Sequence, residues 1–327
     1  MTVLVTGGAG YIGSHAVYAL LDRGDKVVVL DDLSTGAKAQ VGEKAAFVQG
    51  DVADTALVRK IIADRGVDSV IHFAGSIVVP DSVADPLGYY ENNVVKSRAL
   101  IQACIAGGVK HFIFSSTAAV YDADAVQPLG EGAGKRPISP YARSKLMTEW
   151  MLEDVSHAYP MRHTVLRYFN VAGADPQERT GQSTPKATHL IKRAAQVVLG
   201  RVPHLDMFGT DYPTRDGTCV RDYVHVSDLA DAHVLGVRRL LDGKGNGVFC
   251  LGTGRGFSVR EVIEASRAVT NREVPVVIGE RRAGDAAALV SSSTHAIEEL
   301  GWEPRHSTLR QMIGDAWAWA QKPGFAE

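Results

Sequence analysis

The segment SPYARSKLMTEW sets Tyr141 and Lys145 four residues apart, which on a helix puts both on one face. A free tyrosine titrates at about 10, too high for a base near neutrality. A neighbouring ammonium favours the phenolate and lowers that value, so the pair makes a proton acceptor suited to an alcohol. Alone, the pattern is common and equally describes a surface lysine one turn from a packed tyrosine. Upstream, FIFSSTAAVY ends a β-branched and aromatic run, placing Ser115, Ser116 and Thr117 at a strand end. Open α/β sheets bind ligands at that edge, where a hydroxyl can bridge a tyrosine and a substrate oxygen.

A second constellation opens the chain. In VTGGAGYIG, Gly8, Gly10 and Gly13 give one spacing, and Gly7, Gly10 and Gly13 give another. In either register, glycines turning a strand into a helix bring backbone N–H groups and a positive dipole end to one point. That point suits a pyrophosphate. Asp31, closing the second predicted strand, is placed to accept from an adenosine ribose diol and to repel a 2′-phosphate, which selects NAD over NADP. Asp32 could share or replace that role. In QGDVAD, Asp51 either reaches the adenine amino group with Val52 against the ring, or caps the next helix, a task that suits Asp54 better.

The elements that must hold these residues follow from the apolar pattern. Predicted strands are Val3–Thr6, Lys26–Leu30, Ala46–Gln49, Ser69–Phe73, Phe112–Ser115 and Thr164–Arg167. Helices are predicted at Ile12–Arg23, Thr55–Arg65, Tyr89–Ala106 and Tyr141–Ala158, and later at Ala187–Leu199, Val259–Ala268 and Arg310–Ala320. Alternation with nearly all-apolar strands predicts a doubly wound parallel Rossmann sheet covered on both faces. Beyond Asn170 come long polar loops, AGADPQERTGQSTPK, FGTDYPTRDGTC and GERRAGDAA, which predict a smaller α/β substrate-binding lobe. The expected division is 1–172 for the Rossmann domain, with a returning segment near 222–253, and 173–221 plus 254–327 for the lobe.

Composition excludes several classes. With 35 basic and 37 acidic residues, scattered, no field favours nucleic acid or an anionic membrane. No apolar stretch approaches the ~20 residues of a membrane span, and MTVLV is too short for a signal peptide. Cys104, Cys219 and Cys250 form no metal or disulfide spacing and read as free thiols of a cytoplasmic protein; no metal is expected.

Glycine loop, acid, strand-end hydroxyl and Tyr-x-x-x-Lys, in this order, resemble the short-chain dehydrogenase/reductase superfamily. Nearly end to end, VLVTGGAGYIGSH, VIHFAG, YYENN, FIFSSTAAVY, SPYARSKLMTE, LRYFNVAGA, FGTDYPTRDGTCVRDYVHVSDLADAH and ERRAGD resemble the UDP-glucose 4-epimerase (galactose epimerase) family, in the extended branch. The resemblance selects the Gly7–Gly10–Gly13 register. It implies reversible interconversion of UDP-glucose and UDP-galactose at C4 through a 4-keto sugar, with NAD retained and regenerated.

By that resemblance, Thr117, Tyr141 and Lys145 are catalytic. NAD contacts fall on Gly7, Gly10, Tyr11, Ile12, Gly13, Asp31, Asp51, Val52, Phe73, Ala74, Asn92, Ser115, Tyr141, Lys145 and Tyr168. The UDP-sugar contacts fall on Thr117, Tyr141, Asn170, His189, Leu190, Leu205, Phe208, Arg221, Tyr223, Val259, Arg282, Asp285 and Leu289. Two arginines on separate loops, Arg221 and Arg282, provide directed donors for a diphosphate. The helices near 89–106 and 141–158 match those that pair across a homodimer.

Three positions depart from the family pattern. Ile77 replaces a lysine near the cofactor phosphates, and His189 replaces an asparagine at the diphosphate, making that contact pH-dependent. Leu289 replaces a bulky tyrosine that in the family excludes N-acetylated sugars, which opens the pocket to UDP-N-acetylglucosamine. A UDP-N-acetylglucosamine or UDP-pentose 4-epimerase is the alternative reading. A nucleotide-sugar 4,6-dehydratase would need an acid after Thr117, where Ala118 and Ala119 stand. A non-catalytic NAD sensor would have no need of both Tyr141 and Lys145.

Overall fold

Short β-branched runs, each followed by an amphipathic stretch, set the frame. The computed structural model describes residues 1–184, 188–282 and 285–322. The first half supplies strands β1 (Thr2–Thr6), β2 (Lys26–Asp31), β3 (Ala46–Gln49), β4 (Ser69–His72), β5 (His111–Thr117), β6 (Arg162–Tyr168) and β7 (Asn170–Ala172). Between them run helices α1 (Tyr11–Asp22), α2 (Thr55–Arg65), α3 (Val79–Ala84), α4 (Pro86–Tyr90), α5 (Lys96–Ala106) and α6 (Pro140–Ala158). Then come α7 (Leu190–Val198), β8 (Leu205–Phe208), β9 (Val220–His225), α8 (Val226–Leu241) and β10 (Gly247–Leu251). The chain continues through β11 (Gly256–Ser258), α9 (Val259–Thr270), β12 (Val276–Gly279), β13 (Ala288–Leu289), α10 (Thr294–Leu300) and α11 (Leu309–Ala320).

Seven parallel strands lie in the order β10-β6-β5-β4-β1-β2-β3. Alternate residues of each strand go to opposite faces, and both faces are covered. Val3, Val5, Val27 and Val29 pack with Val17 and Leu20 of α1 and with Leu229 and Val237 of α8. Leu4, Val28, Phe112 and Phe114 pack with Val58 of α2, Leu100 of α5 and Leu152 of α6. This is the expected Rossmann-like α/β fold. The order reverses at β1, whose neighbours are β2 and β4, and so opens a crevice at their carboxyl ends.

A second, four-stranded sheet joins β7, β9, β11 and β13, and β8 pairs with β12. From the segment near 222–253, α8 and β10 join the main sheet, whereas β9 belongs to the second one. The expected unbroken helix over Tyr89–Ala106 is instead α4, a π-turn over Glu91–Val95, and α5. The Asn93 carbonyl accepts from the Thr148 hydroxyl of α6 at 3.2 Å, an outside donor that fits the locally opened ladder. Ala187, the expected start of the next helix, lies outside the described residues, and α7 begins at Leu190.

Phe112 is fully buried between β5 and the α2–α5 layer. Phe112→Ala should cost about 3–5 kcal/mol of stability, read as a lowered urea midpoint at unchanged slope.

Candidate active site

At the crevice, β1 enters α1 through a turn that only glycines fit. Gly7 has φ +71°, donates its N–H to the Leu30 carbonyl at 2.9 Å, and a Cβ there would stand 2.6 Å from the Ala74 nitrogen. Its carbonyl accepts from Gly10 N–H at 3.1 Å, and a Cβ on Gly13 would overlap that same carbonyl. A Cβ on Gly8 would meet only the side chains of Val29 and Val5. The Gly7–Gly10–Gly13 register therefore carries the backbone approach.

Helix α1 begins with no side-chain cap and no acid in its first turn, so the N–H groups of Tyr11 and Ile12 are offered to an anion. The Tyr11 side chain is already committed, its hydroxyl donating to the Gly173 carbonyl at 2.7 Å. Asp31 is buried and braces the loop, accepting from Ala9 N–H and Leu33 N–H, each at 2.9 Å. Burial raises its pKa against those two bonds. Asp32 turns outward to Ser34. A cradle that a Cβ would fill, unclaimed N–H groups and a buried carboxylate fit a dinucleotide.

The neighbouring cofactor candidates gather along the same edge. Asp54, as expected, caps α2 by accepting from Leu57 N–H. Asp51 is not a cap: it pairs with Lys96 of α5 at 2.6 Å, and Val52 is buried beside it. Ala74 N–H donates to the Thr6 carbonyl at 3.2 Å, and Phe73 packs on His233 of α8 with ring centres 4.6 Å apart. Asn92 donates to the Ser76 hydroxyl at 2.9 Å. Its neighbour Asn93, absent from the expected site, is the tighter hub. Its side chain accepts from Ser76 N–H at 2.7 Å and donates to the Ser76 carbonyl and the Ser144 hydroxyl. The π-turn is the structural signal for it.

Helix α6 starts on a Ser139 cap and Pro140, which aims its first turns at β5. Tyr141 hydrogen-bonds Thr117, and Lys145 Nζ donates to the Ser115 carbonyl at 3.0 Å. Ser115 in turn bonds the Tyr168 hydroxyl. Here the structure corrects one expectation. The Tyr141 pKa is not lowered by Lys145: burial pushes it up to about 12, with the Thr117 bond opposing. The lysine is spent on a carbonyl, and burial brings it down to about 8 against the pull of Glu149.

Across the crevice, Arg221 sits in β9 rather than on a loop. Its guanidinium donates to the Val220 and Ala286 carbonyls at 2.9 Å and lies 3.4 Å from Asp285. Exposed Arg282 stacks on Phe208, 3.9 Å from the ring centre. Ala283 and Gly284 of ERRAGD, and Pro185 and Lys186 of the first polar loop, lie outside the described residues.

Two residues expected at the substrate have their side chains in the lobe core. Leu205 faces the lobe core with Val197, Val198 and Ile263, because the alternation of β8 sends Asp206 and Phe208 to the other side. Tyr223 is buried among Ile191, Val262 and Met312. Leu190 and Val259 are partly buried at the first turns of α7 and α9, Asn170 is exposed at the start of β7, and Leu289 packs towards Ala118 and Phe169. His189 lies against Tyr11 and Gln182, and burial takes its pKa down to about 4. In the protein alone it is neutral near pH 7.

A segment after β7 is tied to the cofactor side of this site. Besides Tyr11 to Gly173, Ser14 of α1 bonds Thr180 at 2.7 Å, Gln40 donates to the Gly181 carbonyl at 2.6 Å, and Arg179 pairs with Asp22 at 2.9 Å.

Residues 3–252 match the model of the NAD dependent epimerase/dehydratase family. The chain is 52% identical to the UDP-glucose 4-epimerase of Azospirillum brasilense over 317 residues, covering 97% of this chain and 91% of that one. It resembles the crystal structure of UDP-glucose 4-epimerase from Brucella ovis in complex with NAD, with TM-score 0.95 and 44% identity over 97% of each chain. It also resembles the UDP-Glc/GlcNAc 4-epimerase of Campylobacter jejuni, with TM-score 0.86 and 41% identity over 97% of this chain and 98% of that one.

Gly13→Ala should leave a folded protein that retains NAD at least about tenfold more weakly, a ratio worth about 1.4 kcal/mol. Gly10→Ala, whose Cβ stands 3.3 Å from the Gly7 carbonyl, should lose less. NAD released on denaturing the purified variants measures both.

Proposed function

The chain belongs to the NAD dependent epimerase/dehydratase family, and we propose that it is an NAD-dependent UDP-glucose 4-epimerase that interconverts UDP-glucose and UDP-galactose. The observation that carries this reading is the Thr117–Tyr141–Lys145 cluster, set at the sheet edge beside the glycine cradle. NAD, when bound, supplies the hydride acceptor and a positive charge. Tyr141 takes the proton from the sugar 4-hydroxyl oxygen and later returns it. With a pKa of about 12 in the protein alone, its hydroxyl stays protonated until positive charge arrives, which ties the base to the loaded state. Thr117 holds the tyrosine oxygen in line, and Lys145, anchored on Ser115, stays below its own pKa of about 8 as a cation at neutral pH. Arg221 and Arg282 face the diphosphate, Asp285 the uridine ribose, and Leu289 the sugar.

Leu289 is smaller than a tyrosine, which favours some turnover of UDP-N-acetylglucosamine as the second reading. Assays with UDP-galactose, UDP-N-acetylglucosamine and UDP-arabinose, without added NAD, rank the three. Turnover of the pentose alone would overturn the first reading. The apolar exposure of Leu87, Val95 and Trp150, on the α4–α5 stretch and α6, supports a homodimer through these helices. Three buried thiols support work in the reducing cytoplasm. No helix among the described residues is long and apolar enough to cross a membrane.

Tyr141→Phe should lower kcat by on the order of 10²–10⁴ while NAD stays bound. Near-wild-type turnover would mean that another group is the base. Trp150→Glu should shift the protein from dimer to monomer in sedimentation; an unchanged mass would place the interface elsewhere.

A further inference from the structure

Glu149 lies one helical turn beyond Lys145 and two beyond Tyr141, so that α6 presents all three on one face. It is 6% exposed and accepts from the Ser116 hydroxyl, from Arg167 Nε at 3.0 Å and from Arg167 Nη2 at 2.5 Å. In the sheet, Ser116 of β5 stands beside Arg167 of β6, and Arg167 beside Cys250 of β10. These three form one row, and Glu149 closes over it. The far side of Arg167 is also satisfied, by the Tyr121 hydroxyl at 3.0 Å and the Glu131 carbonyl at 3.3 Å. Ser116 sits in the chain between Ser115, which takes the Lys145 bond, and Thr117, which bonds Tyr141.

We propose that Glu149 is a positioning residue for the Tyr141–Lys145 pair: it pins the middle of α6 to the Ser116–Arg167–Cys250 row and supplies the negative charge that keeps Lys145 an ammonium in a buried site. The proposal rests on the reading of Tyr141 and Lys145 as the reacting pair. Burying an amine favours its neutral form unless an anion is near. Of the groups around Lys145, His72 on β4 is held neutral, its pKa taken down to about 3 by burial and by Lys145 itself. Tyr141 on α6, Tyr89 on α4 and Tyr168 on β6 are all pushed up and stay uncharged. Arg167 is a second cation, and the Glu131 carboxylate is turned to Cys250 N–H at 2.7 Å. Glu149 is the anion that acts on Lys145 from within its own helix.

The test is the pH profile of kcat for UDP-galactose. Loss of the carboxylate leaves Lys145 easier to deprotonate, so in Glu149→Gln the alkaline limb should move to lower pH by about one unit. KM at pH values below the limb should stay unchanged. Because this variant strands the buried Arg167 cation, Glu149→Gln/Arg167→Met is measured as well; it folds without an unpaired charge. If Glu149 serves Lys145, the limb stays displaced in the double variant. A limb restored to the wild-type position overturns the proposal, since the carboxylate then serves only to neutralise Arg167. Tyr141→Phe run alongside separates the two levels. Activity retained there removes the underlying reading, whereas its loss, together with an unmoved limb in the Glu149 variants, removes this proposal alone.

Discussion

The carboxyl edge of the main sheet depends on one close approach of backbone to backbone. The Gly7 carbonyl is met by the Gly10 amide, and the Cα of Gly13 sits where any side chain would collide with it. Gly7 itself abuts the strand end at Ala74. That contact fixes the distance between α1 and the β1–β4 crevice, and so the room left for a pyrophosphate. Hydrophobic burial on both faces makes the sheet stable, but it would tolerate a helix seated a little farther out. The glycines are what prohibit it.

On the other flank the constraint is electrostatic. A buried tyrosine and a buried lysine are both driven towards their neutral forms, in opposite directions on the pH scale. The protein alone therefore holds a weak acid next to a weakened base. It becomes a proton acceptor only when charge is added nearby. This separates folding from chemistry: the resting site carries no stranded phenolate, and the reactive form belongs to the assembled complex.

Much of this is legible in the chain, for physical reasons. Parallel strands buried on both faces are uniformly apolar, so β1 to β6 stand out. Glycines that close one strand, with an acid at the end of the next, suit little besides a dinucleotide. Legibility falls where tertiary contacts override local pattern. The π-turn at Glu91–Val95 coincides with a hydroxyl from α6, which no window of local sequence contains. Asn93 is hidden behind its neighbour Asn92 for the same reason. In β8 the alternation of the strand puts the Leu205 side chain in the lobe core, an orientation that the residues quoted around it do not reveal. Spacing finds Tyr141 and Lys145 but not the Ser115 carbonyl that takes the lysine's bond, because spacing says nothing about where an ammonium finds its acceptor.

The stretch from Gly173 to Gly181 is bonded to the cofactor helix through Tyr11, Ser14 and Asp22, and to the turn after β2 through Gln40. None of these bonds touches the residues that face the sugar. These bonds couple the opening of the strap to that of α1, while Arg221 in β9 and Arg282 across the crevice take no part in them. Opening on the arginine side breaks none of these bonds, whereas drawing α1 away from the strap breaks three of them.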